Sequence, residues 1–173
     1  MRYFALIMGL ALMPVAHADL IVSFIDDSRL PYEYSGSNYA NSPSNYSNSK
    51  SNYSNSESNY ANSPSNYSNS PSRNGQSSKN QLLVKDGSTL YRAGYYTYSD
   101  SGVTNFFSTS GKRMFYNPQK GIGVFESSNG SFSGVLVPIK NQYHLLLTNT
   151  GKKATSVATE LVRNAHLVVS PES

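Results

Sequence analysis

The chain reads as a mostly β protein: an antiparallel meander of about seven strands, a curled sheet or small barrel, with one C-terminal amphipathic helix and a disordered repeat tract in front. Three observations carry this expectation. From Lys79 onward, apolar and aromatic runs alternate with turn residues at an interval of about ten. Residues 151–165 change to helical spacing, and residues 37–71 repeat every seven positions with little apolar content besides tyrosine.

The first element is a leader. Met1-Arg2-Tyr3 precedes an apolar run from Phe4 to Val15 and then Ala16-His17-Ala18. A short positive start, a short apolar stretch and small residues two apart form a secretory signal peptide over residues 1–18, with cleavage expected after Ala18. The expected address is periplasmic or secreted, and no later run is long enough to cross a membrane as a helix. The chain contains no cysteine. That excludes disulfides, thiolate metal sites, a cysteine nucleophile and a lipidated cysteine.

Residues 19–36 hold Leu20-Ile21-Val22-Ser23-Phe24-Ile25, a β-branched run that ends at Asp26-Asp27. A single strand cannot fold alone, so it is expected to pair with the C-terminal domain or with the sheet edge of a partner.

Residues 37–78 are the repeat tract: SNYANSP, SNYSNSK, SNYSNSE, SNYANSP, SNYSNSP and a degenerate SRNGQSS. Tyrosine recurs at Tyr39, Tyr46, Tyr53, Tyr60 and Tyr67. A helix would present tyrosine alone on one stripe, Ser and Asn favour caps and turns over helix interiors, and Pro43 and Pro64 break it. A flat strand would alternate the tyrosines between faces. The expectation is therefore a flexible linker spanning roughly 35 Å on average, with the tyrosines either idle or acting as contacts for sugars or for one another.

The β domain, residues 79–173, contains runs at Gln81 to Val84, Thr89 to Tyr98, Val103 to Phe107, Lys112 to Tyr116, Ile122 to Glu126, Phe132 to Ile139 and Gln142 to Thr148. Asp86-Gly87 and Asn129-Gly130 suit tight hairpins. Ala154, Val157, Ala158, Leu161, Val162 and Ala165 then form the stripe of the amphipathic helix.

The sequence offers no catalytic, cofactor or metal site. His144 lies in an apolar strand and His166 follows the helix, without the further ligands a metal needs. Gly130-Ser131-Phe132-Ser133-Gly134 has Phe132 where a nucleophile elbow requires serine. Gly121-Ile122-Gly123 lacks the third glycine of a dinucleotide loop. Asp26 and Asp27 on a strand point apart, the wrong geometry for a shared cation.

The aromatic cluster on neighbouring strands offers more. Tyr95 and Tyr96 cannot both face one core, so one aromatic row, Tyr96 and Tyr98 or their counterparts with Phe107, is expected to be partly exposed unless both faces are covered. Lys112 and Arg113 flank it as candidate cationic contacts. The net charge of +4 falls by one when Arg2 leaves with the leader, and residues 79–173 hold ten Lys or Arg against five Asp or Glu. The basic residues are scattered, which argues against a nucleic-acid partner.

Repeated Ser-Asn-Tyr-x-Asn-Ser, followed by Asn105-Phe106-Phe107-Ser108 and Gly111-Lys112-Arg113-Met114-Phe115-Tyr116, resembles a group of short exported bacterial proteins. They pair such heptads with a small C-terminal domain. The resemblance implies a two-part architecture and assigns no site residue. The functional expectation is an exported, non-enzymatic protein that binds an envelope protein or glycan. The alternatives are a small periplasmic inhibitor or immunity factor, or an enzyme of unrecognised type.

Overall fold

The computed structural model describes residues 18–77, 79–86, 88–140 and 142–148. The expected leader up to His17, the expected helix over 151–165 and His166 lie outside the described residues.

Among the described residues, eight strands form one closed barrel in the order β1 to β8. They are β1 (Leu20–Ile25), β2 (Gln81–Asp86), β3 (Thr89–Tyr98), β4 (Thr104–Ser108), β5 (Arg113–Asn117), β6 (Gly123–Glu126), β7 (Phe132–Ile139) and β8 (Gln142–Thr148). This corrects the expected seven-stranded meander. Strands β2 to β8 are antiparallel neighbours, and β1 closes the cylinder by lying parallel to both β2 and β8. Its register sets Leu20 against Leu82 and Val22 against Val84 on one side, and Ile21 against His144 and Ile25 against Thr148 on the other. Closure removes the two open edges that an unclosed meander would leave.

All eight strands send apolar side chains to one cluster, the barrel interior: Leu20, Val22, Leu82, Val84, Ala93, Tyr96, Phe106, Met114, Phe115, Val124, Leu136, Leu145 and Leu147. Eight strands leave a lumen just wide enough for side chains to fill. Strand β3 approaches β4 closely at Gly94, where a β-carbon would meet the Phe107 carbonyl oxygen at 2.0 Å. Only glycine fits there.

A parallel return such as β1 to β2 needs a long crossover, usually a helix. Here the crossover is residues 26–80, and it contains the repeat tract. The expectation of disorder is corrected: the tract is a continuous series of turns, several of them short 3₁₀ helices, at Tyr39–Asn41, Tyr60–Asn62 and Tyr67–Asn69 among others. It covers the outer surface of the barrel along β3 to β6, which is why β4, β5 and β6 are buried at every residue. A second apolar cluster lies on that outer side, made of Val103, Tyr116, Phe125, Phe132, Val135 and Val137, with Leu30 and Tyr34 packed against it.

Candidate functional site

The candidate site is the surface of the repeat tract, and its geometry follows from the hydrogen-bonding habits of Asn and Ser. In each heptad the first asparagine accepts a hydrogen bond on Oδ1 from the backbone N–H two residues on, as Asn38 does from Ala40 at 3.0 Å and Asn66 from Ser68 at 2.9 Å. This is an Asx turn, which caps the tight turn that follows. The second asparagine then donates its N–H to the carbonyl of the first, and the next serine donates to the tyrosine carbonyl. That serine's Oγ accepts from the N–H two residues on, for example Ser51 to Ser49 at 3.1 Å.

The second asparagines, Asn41, Asn48, Asn55, Asn62 and Asn69, are 0–3% exposed. Each donates its side-chain amide to two carbonyls of the preceding heptad. The bond eight residues back measures 2.6–2.9 Å and the bond six back 2.9–3.3 Å. Every seven residues the chain thus returns to within one side-chain length of itself. The tract is a coil with an amide ladder down its inside, satisfying backbone carbonyls that burial would otherwise orphan.

The coil extends beyond the evident repeats at both ends. Leu30-Pro31-Tyr32-Glu33-Tyr34-Ser35-Gly36 occupies a full earlier turn, with the Ser35 N–H donating to the Tyr32 carbonyl and Ser35 Oγ accepting from the Ser37 N–H. Tyr34 takes the inner position and packs on the outer apolar cluster. Gly36 stands where later units carry Pro, Lys or Glu, because a β-carbon there would reach the Phe132 ring at 2.7 Å. At the far end helix α1 (Pro71–Asn74) stops the coil. Asn74 donates to Ser68 at 2.9 Å and to Ser70 at 3.0 Å, the two carbonyls that a further inner asparagine at position 76 would have taken.

The inner edge docks on the barrel wall through polar contacts. The Tyr95 hydroxyl donates to the Asn69 carbonyl at 2.8 Å and Thr97 to Asn69 Oδ1 at 2.7 Å. Asn105 donates to Asn62 Oδ1 at 3.2 Å, and the Tyr116 hydroxyl to the Asn48 carbonyl at 2.9 Å. Arg113 is 4% exposed, donates to Asn105 Oδ1 at 2.7 Å and to the Asn55 carbonyl at 3.0 Å, and lies 5.0 Å from the centre of the Tyr116 ring. A β-bulge makes this possible. Phe106 pairs with Phe115 but Phe107 pairs with Arg113, so Met114 is the extra residue. The bulge puts Arg113 and Tyr116 on one face, which strict alternation forbids. Burial pulls the Arg113 guanidinium down to about 10 and pushes the Tyr116 hydroxyl up.

On the opposite, outer side of the coil stand Tyr32, Tyr39, Tyr46, Tyr53, Tyr60 and Tyr67. They are 63–67% exposed, so that successive turns present the ring in nearly the same setting. The tract between Ser37 and Ser72 carries only Lys50 and Glu57 as charges, so the row is amphipathic and close to neutral.

Tyr96 points into the lumen and its hydroxyl donates to the Ala18 carbonyl at 2.5 Å. Phe107 is buried, stacked on Tyr95 with ring centres 5.3 Å apart. Tyr98, at the end of β3, is exposed, as is Lys112. The barrel aromatics therefore do not form the exposed row; the tyrosines of the coil do. The sequence reading missed Tyr32, although its spacing of seven from Tyr39 marks it. His144 sits half-buried in β8, its pKa held down by burial. Asp26 caps a short turn, and hydrogen bonds from the side chain and backbone of Ser28 hold its carboxyl below the usual range. Among the described residues no three His, Cys, Asp or Glu side chains gather as a metal site would need, and no helix is long and apolar enough to cross a membrane.

The site and fold thus define a β-barrel wrapped by a tyrosine-bearing coil. No family, no curated protein and no solved structure gives a match to this chain.

Proposed function

We propose that this is an exported, non-enzymatic binding protein whose tyrosine row holds an extended, uncharged glycan of the cell envelope or its surroundings. The observation that carries this reading is the repetition of one ring in one setting at a constant chain interval. A periodic row of binding elements suits a periodic ligand. Tyrosine has a flat apolar face that stacks on a pyranose ring and a hydroxyl that hydrogen-bonds beside it. The neighbouring outer residues are serine and asparagine, which donate and accept without imposing charge. Each contact is weak, and tethered sites add through high effective concentration. The amide ladder keeps the row ordered before binding, which lowers the entropy cost of engagement.

The test is retention of the protein, starting at Asp19, on insoluble glycans (cellulose, chitin and purified peptidoglycan). It is compared with the Tyr46→Ala, Tyr53→Ala, Tyr60→Ala triple variant. The expected result is retention on at least one polymer and a loss of more than about tenfold in the variant, the loss of three weak sites from a multivalent array. Equal retention of the two proteins, or none on any glycan, refutes the reading.

A further inference from the structure

At the end of the coil lies a cleft of about 360 Å³ between its last turn (Asn66, Asn69), helix α1 (Arg73) and the end of β3 with the residues that follow (Tyr98, Asp100). We infer that this cleft is a separate binding site for a single hexopyranose unit. The inference goes beyond the tyrosine row and does not depend on it.

Tyr98 supplies the platform. It is 56% exposed at the end of a barrel strand, whereas its neighbours Tyr95, Tyr96 and Thr97 are buried. An exposed aromatic ring held on a rigid strand beside a cleft is the feature on which a sugar ring stacks. The Asp100 carboxylate is exposed on the same cleft. An ionised carboxylate is acceptor-only and takes two neighbouring hydroxyl groups at once. Arg73 spends one donor on Ser68 Oγ at 3.3 Å, and a guanidinium has five.

Asn80 completes the set. It lines the cleft, holds a left-handed backbone with φ 60°, and among the described residues its buried Oδ1 has no hydrogen-bond partner. Buried acceptors are nearly always paired, so an unpaired one beside a cleft marks a position where a donor is wanted. Strained backbone of this kind collects at ligand sites. The remaining polar lining is already committed: Asn66 to Ser68 and Tyr60, Asn74 to Ser68 and Ser70, and Thr97 to Asn69. The cleft therefore offers one stacking face, two acceptors and one cationic donor. Its volume falls at the small end of the range for small-molecule sites. That chemistry recognises a polyhydroxylated ring.

Ligand-observed saturation-transfer NMR tests it, with D-glucose, D-galactose, D-mannose and N-acetyl-D-glucosamine each at about 10 mM, above a millimolar Kd. At least one sugar should receive saturation from the wild-type protein. Tyr98→Ala should abolish the transfer, Tyr98→Phe should keep it, and Asp100→Asn should weaken it about tenfold, as the loss of a charged acceptor does. The Tyr46, Tyr53, Tyr60 triple variant should retain it, which separates this site from the row. No transfer to any of the four sugars, or transfer unchanged in Tyr98→Ala, overturns the inference.

Discussion

Replacing Asn62 by alanine should cost about 3–5 kcal/mol, taking net values of roughly 1 kcal/mol per hydrogen bond and 1–3 kcal/mol per orphaned buried donor. The size follows from its contacts. Asn62 is wholly buried, and its amide donates to Ser54 at 2.6 Å and to Ser56 at 3.1 Å. Its Oδ1 accepts from Asn105 at 3.2 Å and from Ser101 at 3.3 Å. Alanine removes the two coil-to-coil bonds and leaves the fully buried Asn105 amide without its acceptor. Asn52→Ala is the matched control, since Asn52 Oδ1 makes only the turn bond to the Ser54 N–H at 3.1 Å. That loss resembles the loss of a helix cap, about 1 kcal/mol. With a urea slope near 2 kcal/mol per molar, the Asn62 variant should lose about 1.5–2.5 M of midpoint and the Asn52 variant about 0.5 M. Amide exchange should show residues 54–62 protected in the wild type and faster in Asn62→Ala. Two equal shifts, each below about 0.5 kcal/mol, would refute the claim that the inner amides hold the coil.

Two further outcomes follow from the barrel. Leu20→Ala empties a wholly buried lumen position on the closing strand, so it should destabilise by about 2–5 kcal/mol in urea titration; a loss below about 1 kcal/mol would mean that β1 does not seal the core. Burial raises the Tyr95 and Tyr96 hydroxyls to about 12 from 10.0, so the stability they contribute is whole below pH 10 and is lost as pH rises through about 12. Near-ultraviolet dichroism should therefore be lost in that window, and native dichroism persisting above it would contradict their burial.

The strands were legible because turn residues punctuate them: the runs read between Gln81 and Thr148 lie at β2 to β8. Strand β1 was legible as a strand that pairs with the C-terminal domain or with the sheet edge of a partner; its place between β2 and β8 was not, since pairing across the whole repeat tract leaves no local mark. The coil was misread for a physical reason. Tests for helix and strand ask where apolar groups fall, and this element buries asparagine. Its period is the length of its own turn, so neither 3.6 nor 2.0 residues describes it. Rejecting both regular elements left disorder as the remaining reading, although Asn and Ser at fixed offsets are what Asx and serine turns require. The same omission moved the aromatic row. Tyr95 and Phe107 face outward from the sheet, yet the coil covers them, and the Met114 bulge shifts the alternation that would have placed Arg113 inside.

Most repeat proteins lengthen freely, because each unit touches only the next. This coil has a second clientele. Asn69 answers to β3, Asn62 to β4, Asn55 and Asn48 to β5, and Asn41 lies beside Gly123 of β6. The cylinder is therefore a gauge against which heptads are counted. A duplicated or deleted unit would throw the remaining asparagines out of step with the hydroxyl, amide and guanidinium donors that receive them. Copy number in this tract is set by the girth of a sheet, and the tyrosine row inherits its length from that same measure.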